Sequence, residues 1–262
     1  MKKIRIDQLL VDRGLAESRA QAQRLVMAGQ VRVDGQVIPK PASKVPPGSE
    51  VAVERGPKYV SRGGEKLKAA LSAFLIDVSG LVCADVGAST GGFTDVLLQN
   101  GVERVYAIDV GQGVLHWKLR RDPRVNVMEG MNARYVETLP EPVQLVTIDA
   151  SFISLKVLLP VVRGWYPLEG GEAVVLIKPQ FEAGRMEVSR GGGVIRDPGV
   201  HRKVIFDVLE SAQAEGFEVL GLIRSPLQGP KGNIEFLVHL GCPMIEGRGK
   251  PLGELVAKVM ED

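Results

Sequence analysis

Four charged residues stand where their apolar surroundings make them costly. Asp149 follows the run VQLVTI and Lys178 follows AVVLI, so each closes a strand-like segment. Glu235 interrupts IEFLVHL, and Lys66 lies on the helix-forming stretch introduced by Gly63-Gly64. A carboxylate inside an apolar run needs a cation beside it. Parallel strands open at their C-terminal ends onto one crevice, so Asp149 and Lys178 share a mouth. Two lysines and two acids converging there would perturb one another's protonation. A second cation, or desolvation, moves a lysine towards the neutral amine that a general base needs. Taken singly, each residue is equally readable as a surface ion pair; together they form a catalytic constellation.

A second constellation lies upstream. DVGASTGGFTDVLLQ spans the end of a first strand and the start of a helix, where loop amides and a helix N-terminus face a ligand. A dinucleotide fingerprint starting at Gly87 would need glycine where Ser89 stands, and no Gly-Lys-Ser/Thr follows, so neither a pyrophosphate loop nor a P-loop is indicated. Asp109 ends the next strand, 22 residues after Gly87, at the distance where a carboxylate holds ribose hydroxyls. Asp85, the glycines Gly87, Gly91 and Gly92, and Asp109 resemble the S-adenosylmethionine site of class I methyltransferases. His116, His201 and His239 are scattered, which argues against a metal cluster and against a Ser-His-Asp triad. Cys83 reads as a buried inert thiol, and Cys242 precedes Pro243, the reverse of the Pro-Cys order of cysteine-dependent pyrimidine methyltransferases. Asn-Pro-Pro-Tyr, the mark of exocyclic-amine methylation, is missing. The Gly- and Arg-rich stretch 182–199 reads equally as a lid over RNA and as a solvated loop.

The elements that must position these residues follow from composition and periodicity. The 262 residues are 45% hydrophobic and 24% charged, the balance of a globular chain, long enough for one enzyme domain and a small module. No run approaches a membrane span, and MKKIRIDQLL meets Asp7 and Gln8 before any leader-type apolar core. Two cysteines without CxxC argue against a disulfide framework or zinc site and for a reducing cytoplasm. Residues 1–60 carry 11 Lys and Arg against 6 Asp and Glu, whereas the remainder carries 22 against 25. A basic head on a slightly acidic body points to a polyanionic partner.

Within the head, Ile6, Leu9, Leu10 and Leu15 fall at helical spacing, with Gly14 as the C-cap. Ser18 precedes a second helix with Ala22, Leu25, Val26 and Ala28 on its apolar side, and Asp34-Gly35 marks a hairpin before the strand EVAVE. Prolines 39, 41, 46 and 47 break the chain between them, and GPKYVSRGGEKL forms a joint leading to a helix through Leu67, Leu71, Phe74 and Leu75. From there strand-like and helical runs alternate: LVCADVG, TDVLLQN, ERVYAIDV, VQLVTIDAS, SLKVLLPVV, EAVVLIK, a helix near 199–215, FEVLGLI and IEFLVHL. Such alternation predicts an α/β fold with a parallel sheet covered on both faces. The last two runs, with no clear helix between them, predict an antiparallel sheet edge.

RIDQLLVDRGLAESRAQAQRLVMAGQVRVDGQ resembles the RNA-binding domain first described in the fourth protein of the small ribosomal subunit. That resemblance implies RNA phosphate contacts by Arg5, Arg19, Arg24 and Arg32, with Arg62 added from the joint. Lys66, Asp149, Lys178 and Glu235 match in order and context the Lys-Asp-Lys-Glu tetrad of FtsJ-type ribose 2′-O-methyltransferases. SRGGEKL, DVGASTGGFTD, TIDASFISL, LIKPQFE, GGGVIRDP and SPLQGPKGNIEFLV together resemble the TlyA family of ribosomal RNA 2′-O-methyltransferases, also described as haemolysins, over essentially the whole chain. PKYV stands where some members carry Arg-x-Trp-Val at the linker. The resemblance implies a class I, Rossmann-like methyltransferase domain over 59–262, with a mostly parallel seven-stranded sheet and a joint at 59–64, behind a small α+β RNA-binding domain over 1–58. It implies S-adenosyl-L-methionine as cofactor, no metal, and ribosomal RNA or ribosomal subunits as partner, with cytidine the expected nucleoside. It assigns Lys178 as base, Asp149 as its positioner, and Lys66 and Glu235 as steering groups. The cofactor set becomes Asp85, Gly87, Ser89, Gly91, Gly92, Phe93, Asp109, Asn132 and Asp149. Two other readings compete: an RNA-binding assembly factor that keeps a cofactor fold, and a membrane-active cytolysin, which the lack of leader, span and basic amphipathic helix disfavours. The modified nucleotide, the choice of subunit and the oligomeric state, a monomer included, are left open.

Overall fold

The computed structural model describes residues 3–54, 56–245 and 247–261. The chain forms two compact units, Met1–Lys58 and Tyr59–Asp262.

In the first unit, β1 (Ile4–Arg5) leads directly into α1 (Ile6–Asp12) and α2 (Arg19–Met27). β2 (Val31–Val33), β3 (Gln36–Val37), β4 (Lys44–Val45) and β5 (Val51–Val53) complete it. Ser18 caps α2 by accepting from Gln21 N, and Asp34 and Gly35 take φ values of 49° and 81°, both left-handed, which closes the β2–β3 hairpin. β2 pairs with β3 and β5, while β1 pairs with β4 in a sheet of its own. Ile6, Leu9, Leu10, Ala22, Val26, Val31, Val33 and Val45 bury one small core. Ala28 departs from the expected apolar side: it is exposed and caps α2. β1 and β4 escape periodicity because two residues cannot display an alternation.

The second unit opens with α3 (Gly64–Phe74), then β6 (Val82–Val86), α4 (Gly92–Gln99), β7 (Arg104–Asp109), α5 (Trp117–Arg120) and β8 (Val125–Glu129). β9 (Leu145–Ile148), α6 (Leu155–Arg163), β10 (Gly171–Ile177), α7 (Pro179–Glu182), α8 (Arg185–Arg190) and α9 (Pro198–Ala214) follow. β11 (Glu218–Arg224), β12 (Phe236–Cys242) and α10 (Leu252–Glu261) end it. Seven strands lie in the order β11-β12-β10-β9-β6-β7-β8, mostly parallel. Alternate side chains feed opposite faces. Val82, Ala84, Val86, Ala173, Val175 and Ile177 join the core under α6, α9 and α10, while Cys83, Val174 and Leu176 join the core under α3, α4 and α5. Leu75 is left out of α3: it takes φ 58° beyond the helix and is exposed.

The last two runs form the expected antiparallel edge. β12 sits between β10 and β11, antiparallel to both, so β11 forms the rim and Glu235, just before β12, comes beside the end of β10. β8 and α10 have no counterpart in the periodicity reading; VNVME is only partly buried, so its alternation is weak. Among the described residues, no helix is long and apolar enough to cross a membrane.

Candidate active site

The loop after β6 is shaped by conformations that side chains rarely take. Gly87 has φ 79°, and a Cβ there would lie 2.8 Å from the Asp149 carbonyl oxygen. Gly91 has φ 96°, with the Leu119 side chain 2.2 Å from where a Cβ would sit, and a Cβ on Gly92 would meet Ser61 Oγ at 2.4 Å. Glycine is therefore needed at all three for close approach of chain to chain. Ser89 N donates to Asp109 Oδ2 at 2.8 Å and Gly111 N to Asp109 Oδ1 at 2.7 Å, so the carboxylate at the end of β7 is clamped from two sides. Each of its oxygens keeps a free lone pair for a ribose hydroxyl.

Two adjoining clefts of about 480 Å³ each open over this loop. Gly87, Ser89 and Asp149 border both; Asp109 and Asn132 line the first, and Gly92, Phe93 and Arg62 line the second. A glycine loop bordering both clefts, a clamped carboxylate, and a neighbouring recess form a donor and acceptor set that fits a nucleoside bearing a charged tail.

Asp85 is one of two expected cofactor contacts set back from the clefts. It is wholly buried and borders neither cleft; Thr94 N, Thr94 Oγ1 and Thr147 Oγ1 donate to it at 2.9, 2.6 and 3.0 Å. It ties the start of α4 to β9 from beneath the loop. Burial pushes its carboxyl up to about 6 despite those donors, with the Asp149 charge adding a smaller push. Gly91 likewise packs on Leu119 rather than bordering a cleft.

The four charged residues meet in the second cleft. β9 and β10 deliver Asp149 and Lys178, α3 delivers Lys66, and the start of β12 delivers Glu235. Lys178 Nζ lies 2.7 Å from Asp149 Oδ1 as an ion pair, and donates to Ser151 Oγ at 2.9 Å and to the Asp149 carbonyl at 3.3 Å. Lys66 Nζ donates to Glu235 Oε2 at 2.6 Å and stands 4.0 Å from Asp149 Oδ2. Asp149 thus lies between two cations. The Glu235 side chain is fully buried and its other oxygen accepts from Gln180 Nε2 at 3.3 Å, which answers the cost of a carboxylate in an apolar run.

Sequence reasoning missed Ser151, Gln180 and Phe152. The first two are polar residues, Ser151 in a loop and Gln180 in the short α7, and carry no signal of their own. Phe152 is 90% exposed at φ 64° beside Asp149, borders both clefts, and only its coordinates mark it as unusual. Among the described residues no group of three or more His, Cys, Asp or Glu could hold a metal ion. Cys83 and Cys242 are buried free thiols, and burial pushes Cys83 up to about 12.

In the first unit, Arg5 grips the buried Asp7 with two hydrogen bonds, at 3.0 and 2.8 Å, and Arg19 reaches it at 3.3 Å. The Arg5 bond is the main reason the Asp7 carboxyl lies well below the usual carboxylate range. Arg32 pairs with Glu54. Arg5 and Arg19 nevertheless keep 43% and 53% of their side chains exposed, and Arg24 is exposed. The expected phosphate contacts are therefore accessible, and three of the four also brace the unit.

This sheet order, with a glycine loop after β6 and a clamped carboxylate at the end of β7, is the form of a class I, Rossmann-like α/β domain. Residues 59–242 match the FtsJ-like methyltransferase family and residues 4–51 match the S4 domain. The 16S/23S rRNA (cytidine-2′-O)-methyltransferase TlyA of Mycobacterium tuberculosis is 46% identical over 91% of this chain and 90% of its own. Hemolysin A of Brachyspira hyodysenteriae is 41% identical over 90% of this chain and 99% of its own. A solved structure from Streptococcus thermophilus is 44% identical and superposes with a TM-score of 0.72, covering 100% of this chain and 97% of that one. The chain belongs to the TlyA family of FtsJ-like methyltransferases.

Proposed function

We propose that this protein methylates the ribose 2′-hydroxyl of a cytidine in ribosomal RNA, with S-adenosyl-L-methionine as methyl donor. The observation that carries the reading is the closure of Lys66, Asp149, Lys178 and Glu235 around one cleft that adjoins the clamped Asp109. S-adenosyl-L-methionine, when bound, supplies a methyl carbon made electrophilic by a positively charged sulfur. Asp109 and Asn132 border the first cleft and would hold its nucleoside; Gly87, Ser89, Gly92 and Phe93 would border its reactive end.

The chain's own task is to align an alcohol and take its proton. Lys178 Nζ is held by Asp149 and Ser151 and faces the cleft; in its neutral form it accepts the hydroxyl proton. Asp149 orients that amine, and Lys66, anchored on buried Glu235, keeps Asp149 in place from the other side. A lysine base suits an alcohol, because the proton must leave as the carbon–oxygen bond forms. Ring-carbon methylation needs a covalent nucleophile, and both cysteines are buried with their thiols pushed upward. RNA reaches the site through the S4 domain, whose basic surface meets phosphates, and through exposed Arg62 at the cleft rim. We place this reaction in the cytoplasm, alongside its ribosomal substrate.

A 2′-O-methyl group removes the hydroxyl that attacks the neighbouring phosphate in alkali. RNA treated with the protein and labelled donor is expected to resist alkaline cleavage at one site and to yield label in 2′-O-methylcytidine on digestion. Label recovered in the free base after glycosidic cleavage would overturn the assignment.

A further inference from the structure

The residues at the reactive end are borne by two short segments. One runs from Asp149 to the first turn of α6; the other runs from Lys178 through the single turn of α7. Ladder pairing between β9 and β10 reaches only as far as Ile148 and Val175, so beyond it these two segments are joined to each other mainly through side chains. They are joined at three levels. At the cleft, Lys178 Nζ meets Asp149 Oδ1 at 2.7 Å and Ser151 Oγ at 2.9 Å. In the middle, the rings of Phe152 and Phe181 pack with centroids 4.9 Å apart. At the far end, Ser154 Oγ donates to Glu182 Oε2 at 2.5 Å and Leu155 N donates to Glu182 Oε1 at 2.8 Å.

Glu182 has no part in the chemistry derived above. Its carboxylate is partly desolvated, an unfavourable place for a charge, and it is spent on a contact across segments rather than within one. It shares the cap of α6 with Ser154: Ser154 Oγ accepts from Lys156 N at 3.2 Å, while Glu182 takes the N–H of Leu155 from across the gap between segments. Glu182 is one helical turn from Lys178, and Phe181 N and Glu182 N both return to the Lys178 carbonyl, at 2.8 and 3.3 Å. A shift at Glu182 is thus transmitted directly to the backbone that aims Nζ.

We propose that Glu182 is a positioning residue for Lys178, tying the α7 turn to the start of α6 so that Nζ stays on Asp149 and Ser151. The inference rests on the methyl-transfer reading only for its kinetic arm. Three full-length variants test it. Glu182→Ala removes the tether, Glu182→Asp is one methylene too short to span it, and Glu182→Gln can still accept from Leu155 N while donating to Ser154 Oγ. The first measurement needs no substrate: acetylation of individual lysines by an amine reagent, read by mass spectrometry, with Lys66 as internal control. Lys178 labelling is expected to rise several-fold in the Ala and Asp variants, with Gln close to wild type and Lys66 unchanged throughout. The second measurement is turnover on ribosomal RNA. A misplacement of about 1 Å at the base lowers kcat by on the order of tenfold to a hundredfold. The KM for the methyl donor should stay within about twofold, because Asp109, Asn132 and the glycine loop after β6 lie on other segments, and Glu182→Gln should recover most of the loss in kcat. Unchanged Lys178 labelling in Glu182→Ala, or an equal rise at Lys66, would overturn the proposal. A wild-type chain that transfers no methyl group while Lys178 labelling moves as stated would sink the activity reading and leave the tether standing.

Discussion

Lys178 and Asp109 border different clefts, 480 Å³ each, and so can be separated by experiment. A general base contributes roughly 10²–10⁴-fold to a rate, so Lys178→Ala is expected to lose that much turnover while binding the donor normally. Asp109→Ala removes charge-assisted bonds worth about 1.5–3 kcal/mol, so donor affinity should fall by roughly tenfold to a hundredfold. Calorimetry with a tritium-transfer assay checks both, and near-normal turnover by Lys178→Ala would remove it as the base. Asp85 offers a test by pH. Its folded-state carboxyl is pushed up to about 6 from an ordinary 3.8, so between those values the folded chain holds a proton that the unfolded chain has lost. Stability contributed at this residue therefore falls as pH rises from 4 to 6, by on the order of 3 kcal/mol. Asp85→Asn, nearly isosteric and still able to bond Thr94 and Thr147, is expected to flatten that segment of the stability curve. Denaturant melts of the two proteins across the window would show it; parallel curves would refute the assignment.

Elements position this site by close backbone approach. The turn after β6 passes so near the end of β9 that a Cβ at Gly87 would reach the Asp149 carbonyl oxygen, and Gly87 itself sits at φ 79°. Gly87→Ala should cost about 1–3 kcal/mol in backbone strain and displace the Asp149 backbone as well. The expected result is a double loss, in donor affinity and in turnover, from a residue with no side chain to lose. Wild-type affinity in a folded Gly87→Ala protein would show that the approach is not functional. The same logic explains why α3 starts at paired glycines: a Cβ on Gly92 would lie 2.9 Å from Gly64 N, so the two helix starts pack backbone to backbone. That contact places Lys66, two residues into α3, over the cleft.

At the scale of the molecule, charge is divided between the units. Residues 1–60 hold 11 Lys and Arg against 6 Asp and Glu, whereas the body carries a small excess of acid. The second unit has two cores of its own on either face of its sheet. A chain lacking residues 1–58 is therefore expected to fold and bind the methyl donor yet methylate RNA poorly. If the head supplies phosphate contacts, log affinity of the intact protein should fall with log salt by about 0.7–0.9 per contact, and the truncated chain should show a much shallower slope. Undiminished activity of the truncated chain on ribosomal RNA would show the head to be dispensable.

Much of this was legible in the residues alone. A charge that closes or breaks an apolar run is conspicuous, so Asp149, Lys178 and Glu235 announced themselves, as did the glycine loop and the hairpin at Asp34-Gly35. The alternation of strand and helix, set by side-chain periodicity, indicated the sheet and its two covered faces. What periodicity cannot carry is adjacency between distant segments. Lys66 and Glu235 are 169 positions apart, and they touch only because β12 enters between β10 and β11 rather than at the rim. Ser151, in a loop, and Gln180 and Glu182, in the single turn of α7, are ordinary polar residues until two strands lie side by side and bring these segments together. Asp85 looked like a ligand contact because it precedes the loop, and the strand's pleat turned it inward instead. Local pattern depends on neighbours in the chain and is written there; the order of strands and the facing of loops depend on packing the whole chain, and only the tertiary structure decided them.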